Sequence, residues 1–191
     1  MNHLLGIRGG PVSEREAQII IQKLAKGLKI LYDRRIIHRD LNVNNVMLHI
    51  PELEPNEEDF KDLEEYLLEK LYPIREKMLK DLRSVNFQVK IIDYGISRTI
   101  DPGSVAETPC GTKELVAPEL LQGRGYDFRV DVWNLGVMMY MLVTCAVPFQ
   151  TEENRESGVW FLPLKHLISI DTIRFLNETL LYDEKLRPFP N

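Results

Sequence analysis

The sequence predicts a mostly α-helical domain of the α+β class, in which a few short strands form β-hairpins. Residues 13–32, 131–143 and 167–181 have the apolar spacing of helices, whereas Val89-Lys90-Ile91-Ile92 is a short branched run typical of a strand. A chain of 191 residues with 44% hydrophobic residues can bury a core of its own. We therefore treat residues 1–191 as one globular unit.

The first helix is predicted to run from Ser13 to Tyr32. Ser13 and Glu16 form a capping-box pattern, in which each side chain binds the backbone N–H of the other residue. Apolar residues then recur at helical spacing, so one face of this helix should be buried. That face consists of Ala17, Ile20, Ile21, Leu24, Leu28 and Leu31.

Two more helices are predicted in the C-terminal half of the chain. The segment 131–143 is apolar nearly throughout, which indicates a helix at the centre of the domain. The segment 167–181 has an apolar stripe, which predicts a single packed face. The residues of that stripe are Ile170, Ile173, Leu176 and Leu180.

A charged segment at about 50–88 has a helical stripe of its own. It opens with Pro51, is dense in Glu and Lys, and contains Pro73, which should kink the helix or split it in two. Two interpretations stay open, a helix lying on its own domain and a surface that binds a partner. The stripe consists of Phe60, Leu63, Leu67, Leu71, Ile74, Met78 and Leu82.

Charge and cysteine content argue against several classes of function. A formal net charge of -5 does not favour nucleic acid or an acidic membrane as a partner. The two cysteines, Cys110 and Cys145, and the lack of a signal-like leader predict a reducing, cytoplasmic location. No apolar run approaches the length of a membrane span.

Three short motifs occur in order along the chain. Residues 38–45 read His-Arg-Asp-Leu-Asn-Val-Asn-Asn, residues 93–95 read Asp-Tyr-Gly, and residues 117–119 read Ala-Pro-Glu. Each of these motifs alone is weak evidence, because short patterns recur by chance. Their joint order and spacing make the combined pattern strong evidence.

The side chains of these motifs suit metal-assisted chemistry on a hydroxyl group. The predicted strand delivers Asp93 to its end, where Gly95 allows the backbone to turn sharply. A carboxylate there is a hard oxygen ligand suited to Mg²⁺, and Asn45 offers a second, neutral oxygen. Asp40 is the candidate catalytic base, which must lie within hydrogen-bond reach of the substrate hydroxyl.

Together the motifs resemble the catalytic signature of a eukaryotic protein kinase, in its C-terminal lobe and of the serine/threonine group. The resemblance spans nearly the whole chain apart from 50–88, an insertion similar to those of protist kinases related to the Unc-51-like group. It implies that ATP and Mg²⁺ are used to phosphorylate a hydroxyl of a protein substrate. It also places Met47 under the adenine, with a core position as the alternative.

The resemblance assigns structural roles to further residues. Asp131 is expected to brace the backbone of His38 and Arg39, and Arg187 is expected to close an ion pair with Glu119. All of these roles concern the shape of the lobe rather than the chemistry.

A substrate-docking loop is expected over residues 111–119, where Thr112 would hydrogen-bond Asp40. His38 and Tyr94 are expected to pack in the core and to take no part in acid–base catalysis.

Residues 98–110 are rich in Thr, Ser, Pro and Gly and are predicted to form a mobile loop. By resemblance, Thr108 is the leading phosphorylation site, and its phosphate would make charge-assisted hydrogen bonds to Arg39. Thr99 and Ser104 are further candidates. The alternative is that Thr108 and Pro109 simply form a turn.

The catalytic loop departs from the family pattern at Asn42, where serine/threonine kinases have a lysine. Asn42 is kept among the candidate catalytic residues because it can donate a hydrogen bond, but it brings no charge to the transferring phosphate. Tyr94 stands where the family usually has phenylalanine, which is a mild change. A pseudokinase or a non-catalytic docking module therefore stays open as the alternative function.

The resemblance does not extend to an N-terminal β lobe. Kinases hold the ATP phosphates with a glycine-rich loop and a strand lysine, and neither occurs upstream of Ser13. Gly6, Gly9 and Gly10 fit a turn better than such a loop. We therefore expect a partial kinase domain that is inactive without the missing lobe.

Overall fold

The computed structural model describes residues 9–56, 59, 61–99, 115–162 and 168–189. Seven α-helices and four short strands lie within these ranges. The helices are α1 (Glu14–Asp33), α2 (Leu63–Glu65), α3 (Tyr72–Lys80), α4 (Pro118–Leu121), α5 (Arg129–Thr144), α6 (Glu152–Glu156) and α7 (Ile170–Thr179). The strands are β1 (Ile36–Ile37), β2 (Val46–His49), β3 (Gln88–Ile91) and β4 (Arg98–Thr99). The mostly helical prediction is confirmed.

The core is formed mainly where α1 packs on α5. The predicted capping box starts α1: Ser13 N donates to Glu16 Oε2 at 2.8 Å, and Ser13 Oγ accepts from Glu16 N. All six residues of the predicted apolar face of α1 are buried. Nearly every side chain of α5 is buried as well, including Asp131 and Trp133, which places this helix at the centre of the domain.

The packed face of α7 differs from the prediction at its first turn. Leu176 and Leu180 are buried, but Ile170 is 67% exposed because the helix begins there, after its N-cap Ser169. Thr179 takes a buried position instead, and its hydroxyl donates to the Phe175 carbonyl at 2.8 Å. Hydrogen bonding of this kind is what allows a polar side chain into the core.

The strands form two antiparallel pairs. In one, β2 pairs with β3, so that Val46 lies opposite Ile91 and His49 lies opposite Gln88. In the other, β1 pairs with β4, and Ile36 lies opposite Thr99. The charged segment therefore connects the two strands of a hairpin, and its two ends lie side by side.

The charged segment lies partly on its own domain. Ile74, Met78 and Leu79 of α3 pack against the core, and Leu82 is buried just beyond the helix. The backbone N–H of Leu82 donates to Glu16 Oε1 at 2.7 Å, which fastens the segment to the start of α1. The side chains of Phe60 and Leu63, which were expected in the stripe, lie outside the described part of the chain.

Pro73 does not split the helix of the charged segment. A π-helical turn over Tyr66–Leu71 leads directly from α2 into α3, where Pro73 is in the first turn. Proline has no N–H to donate and its ring crowds the preceding turn, so a widened turn before it relieves the conflict. Within the described residues, no helix is both long and apolar enough to cross a bilayer.

Candidate active site

The catalytic loop follows β1 and is anchored to α5 by Asp131. Its Oδ2 accepts from the backbone N–H of His38 and its Oδ1 accepts from that of Arg39, both at 2.9 Å. Burial raises the pKa of the Asp131 carboxyl, although these two hydrogen bonds act in the opposite direction. Asp131 therefore braces the loop backbone, the arrangement that the resemblance implies.

Two non-glycine residues of the site have left-handed backbone. Arg39 has φ of 72° and Asp93 has φ of 62°. Such conformations are strained for residues with a side chain and are kept only where surrounding contacts impose them, often at functional sites. Arg39 is also the residue whose backbone N–H donates to Asp131 Oδ1.

His38 is fully buried and joins the loop to the chain before Asp93. Its Nε2 lies 3.0 Å from the carbonyl oxygen of Ile92. Because a carbonyl can only accept, Nε2 is the donor in this contact. The role of His38 is thus to hold two segments together, which agrees with its expected structural part.

The Asp40 carboxylate accepts hydrogen bonds from two side-chain amides. Asn42 Nδ2 lies 3.0 Å from Oδ1, and Asn45 Nδ2 lies 2.9 Å from Oδ2. Each amide nitrogen also donates to the backbone carbonyl of Asp40. The predicted base and both predicted asparagines therefore lie together.

Asp93 follows the β2–β3 pair on the side nearest the catalytic loop. The ladder continues past its strands, because Ile92 N donates to the Asn45 carbonyl at 3.0 Å. This contact brings the chain just before Asp93 beside Asn45. Asp93 is exposed, and its Oδ1 accepts from Gly95 N at 3.2 Å.

The turn at Asp93 is not made in the predicted way. The left-handed residue is Asp93 itself, and Gly95 is not among the residues with positive φ. A Cβ added at Gly95 would lie 3.1 Å from Asp93 Oδ1, which is closer than most side-chain contacts. Gly95 therefore serves close approach rather than an unusual backbone angle.

Met47 and Tyr94 are more exposed than a core position requires. Met47 is 48% exposed, so its alternative assignment to the core is wrong. Tyr94 is 47% exposed, and the prediction that it packs in the core is also wrong. The rings of Tyr94 and His38 make an edge contact with their centroids 5.3 Å apart, and about half of the Tyr94 surface stays exposed.

Glu119 and Arg187 form the ion pair expected from the resemblance. Arg187 Nη1 lies 2.7 Å from Glu119 Oε1, and neither side chain is exposed. The Arg187 guanidinium also lies over the ring of Trp133, whose Nε1 donates to the Leu115 carbonyl at 3.1 Å. These contacts hold the described end of the expected substrate-docking loop.

The predicted regulatory and substrate-loop threonines lie outside the described residues, since 100–114 are not described. Thr108 and Thr112 are the residues concerned, and the further candidate Ser104 lies in the same undescribed stretch. Thr99, the additional phosphorylation candidate, is in β4 and exposed.

Sequence reasoning missed Tyr126. This residue is 1% exposed, and its hydroxyl accepts from Arg39 Nη1 at 2.8 Å. The two residues are 87 positions apart, and no local pattern around Tyr126 signals the contact. A buried tyrosine does need a partner for its hydroxyl, which is a general reason to look for one.

The side chains present fit a magnesium ion. Asn45 directs both protons of its amide to Asp40, so its carbonyl oxygen is the group available as a ligand. Asp93 supplies a carboxylate, and Mg²⁺ is typically bound through one or two such groups together with substrate phosphates. Within the described residues, no cluster of three or more His, Cys, Asp or Glu side chains could hold a metal.

Comparisons with known proteins agree with this arrangement. The family model described as "Protein kinase domain" matches residues 1–188. Serine/threonine-protein kinase ATG1c of Arabidopsis thaliana is 34% identical over 74% of this chain and 15% of its own length. Serine/threonine-protein kinase polo of Drosophila melanogaster is 31% identical over 76% of the chain and 19% of its own.

Sperm motility kinase 2B of Mus musculus is similar over a longer stretch, with 28% identity over 94% of this chain and 31% of that protein. The chain therefore spans less than a third of the length of each of these relatives. The ATG1 similarity agrees with the resemblance to the Unc-51-like group. On the match over residues 1–188, this chain belongs to the protein kinase domain family, and the relatives named here are protein kinases.

Proposed function

We propose that this chain carries the catalytic loop of a protein serine/threonine kinase, which transfers the γ-phosphoryl group of ATP to a protein hydroxyl. The observation that carries the proposal is the grouping of Asp40, Asn45 and Asp93. Asn45 donates to the Asp40 carboxylate, and the backbone just before Asp93 is bonded to Asn45. Phosphoryl transfer depends on positioning and charge stabilisation, and these three residues are suited to both.

In this proposal Asp40 accepts the proton of the substrate hydroxyl. Its carboxylate can take a further hydrogen bond, because two oxygens offer about four acceptor sites and the two amides use one on each. Asn45 and Asp93 would hold Mg²⁺, which neutralises charge on the phosphates of ATP. Met47, half exposed on β2, is proposed as a contact of the adenine.

Regulation by phosphorylation is part of the proposal. Arg39 would pair with a phosphate on Thr108, since its guanidinium has five N–H donors and Tyr126 uses only one. A doubly charged phosphate at that place would order the loop that bears it. Thr112 is proposed to hydrogen-bond Asp40 and so to link the substrate loop to the base.

The test measures phosphorylation of a generic protein substrate in the presence of Mg²⁺. The product of the complete gene should be used, because this chain spans less than a third of the length of the kinases named above. We expect Asp40→Ala to abolish incorporation. Asp171→Ala is the matched control, since this exposed carboxylate lies in the first turn of α7 and pairs with Arg174 of the same helix.

A second candidate function is a non-catalytic docking module. Two observations favour it: Asn42 brings no charge to the loop, and Leu68 and Tyr72 of the charged segment are exposed at 56% and 44%. These two residues are one helical turn apart and could contact an apolar partner. Equal incorporation by the wild type and by Asp40→Ala, with both proteins folded, would favour this module over the kinase.

A further inference from the structure

Asn42 stands where the family has a lysine, and its surroundings point to a different task. The side chain is only 5% exposed. Its Nδ2 lies 3.1 Å from the Asp40 carbonyl oxygen and 3.0 Å from Asp40 Oδ1, and its Oδ1 accepts from Asn44 N at 2.8 Å. All three contacts are within the catalytic loop itself.

The orientation of this amide follows from its partners. A carboxylate and a carbonyl can only accept, whereas the backbone N–H of Asn44 can only donate. The nitrogen of Asn42 must therefore face Asp40, and its oxygen must face Asn44. A primary amide has two protons, so the two contacts with Asp40 use both of them.

Asn45 binds Asp40 in the same way from the other carboxylate oxygen. Its Nδ2 lies 2.8 Å from the Asp40 carbonyl oxygen and 2.9 Å from Oδ2. Each carboxylate oxygen thus receives one amide, and the backbone carbonyl receives both. Fixing the carboxylate at both oxygens restricts its rotation about the terminal side-chain bond, which otherwise has a broad energy minimum.

We propose that Asn42 is a positioning residue that, together with Asn45, fixes the Asp40 carboxylate, and that it makes no contact with the transferring phosphate. The inference rests on the proposed kinase function and deepens it. Orientation of a reacting group can contribute strongly to rate, because a small misplacement lowers the population of productive geometries. With both amide protons directed to Asp40, Asn42 has no donor left for a phosphate oxygen.

The first test measures the bonding directly and needs no catalytic activity. Hydrogen exchange of the side-chain amide protons of Asn42 and Asn45 is followed by NMR in the ¹⁵N-labelled product of the complete gene. We expect slow exchange at both sites compared with Asn177, which is exposed on α7. Asp40→Ala should speed exchange at both sites together. Exchange at Asn42 as fast as at Asn177 would overturn the proposal.

The second test separates positioning from phosphate binding by steady-state kinetics. We expect Asn42→Ala to lower kcat by about tenfold or more while the KM for ATP stays the same. Asn42→Asp keeps the acceptor for Asn44 N but loses both donors, so it should lose at least as much activity. A raised KM for ATP with unchanged kcat would mean that Asn42 binds the nucleotide equally well in the ground state and the transition state. That result would overturn the proposal.

The two tests also separate this inference from the proposed function. If the wild type has no Mg²⁺-dependent activity while the amide protons of Asn42 are protected, the kinase function fails and the bonding to Asp40 stands. If either Asn42 variant does not fold, amide exchange in the wild type still decides the matter. Asn177→Ala is the control that should leave the kinetic constants unchanged.

Discussion

Arg187 and Glu119 form a two-bond ion pair from which solvent is excluded. The two guanidinium nitrogens Nη1 and Nη2 lie 2.7 and 2.8 Å from the two carboxylate oxygens, and neither side chain is exposed. Arg187 Nε also donates to the Leu181 carbonyl at 2.7 Å. The pair therefore joins α4 to the C-terminal segment through the core.

Arg187→Ala should destabilise the protein strongly, because it leaves the Glu119 carboxylate buried without a counter-charge. We expect the free energy of unfolding to fall by about 3–5 kcal/mol. Urea denaturation measures the change. Arg124→Ala is the control: its ion pair with Glu184 at 3.0 Å is partly exposed, so the loss there should stay below about 1 kcal/mol. Equal losses in the two variants would contradict the role of the buried pair.

Gly136→Ala should also be destabilising, because α5 and α7 approach closely at this residue. A Cβ at Gly136 would lie 2.9 Å from both Thr179 Cβ and Leu180 Cδ2. Overpacking of this kind typically lowers stability by about 1–3 kcal/mol. The midpoint of thermal unfolding should fall accordingly. Gly10→Ala is the control, since a Cβ there meets nothing within 4 Å, and an equal fall in that variant would rule out this explanation.

Tyr126→Phe tests the hydroxyl that binds Arg39. The substitution keeps the buried ring but removes the acceptor 2.8 Å from Arg39 Nη1. Hydrogen bonds to charged groups contribute about 1.5–3 kcal/mol, so a loss in that range is expected in chemical denaturation. Tyr66→Phe is the comparison, because it removes a hydrogen bond from a hydroxyl to the uncharged Leu53 carbonyl. The loss of stability should be smaller in this variant than in Tyr126→Phe. A larger loss at Tyr66 would argue against a structural role for the contact with Arg39.

The Glu14 carboxylate makes the stability of the protein depend on pH. Burial raises the pKa of Glu14, but the hydrogen bonds from Ser169, Thr172 and Gln18 together lower it by more than burial raises it. The net pKa therefore lies below the ordinary 4.5. A lowered pKa in the folded state contributes stability above pH 4.5, and this contribution is lost as the pH falls through the folded pKa.

Glu14→Gln should therefore unfold at a lower temperature than the wild type at pH 7, and the gap should narrow as the pH is lowered below 4.5. Thermal unfolding followed by circular dichroism over this pH range provides the measurement. The effect should be small because Glu14 lies near the surface. Glu178→Gln, an exposed carboxylate on α7, is the control. A gap between wild type and Glu14→Gln that does not change with pH would show that the hydrogen bonds do not depend on the charge.

Interactions within one turn were predictable from the sequence. The capping box of Ser13 and Glu16 was predicted because both partners are three positions apart on the same helix. The buried face of α1 follows from a spacing that repeats with the helix itself. Asp93 was predicted at the end of a strand, and β3 ends two residues before it.

One miss is a contact between distant parts of the chain, and two are local backbone geometries that the sequence did not predict. Tyr126 meets Arg39 across 87 positions, and neither residue carries a local sign of the other. The π-helical turn before Pro73 was not predicted, because the sequence shows that proline disturbs a helix without showing which relief the surroundings permit. The left-handed residue of the turn is Asp93, whereas the sequence pointed to Gly95, and Tyr94 between them is exposed.

The sequence by itself determined the family, the helical class and the identity of the loop residues, because motif order and apolar period are properties of the linear chain. Only the tertiary structure decided what Asn42 does there. Its residue type shows that a charge is missing, but the direction of its two amide protons depends on how the loop folds around Asp40. Hydrogen bonds are directional, and direction is established only when the backbone is in place.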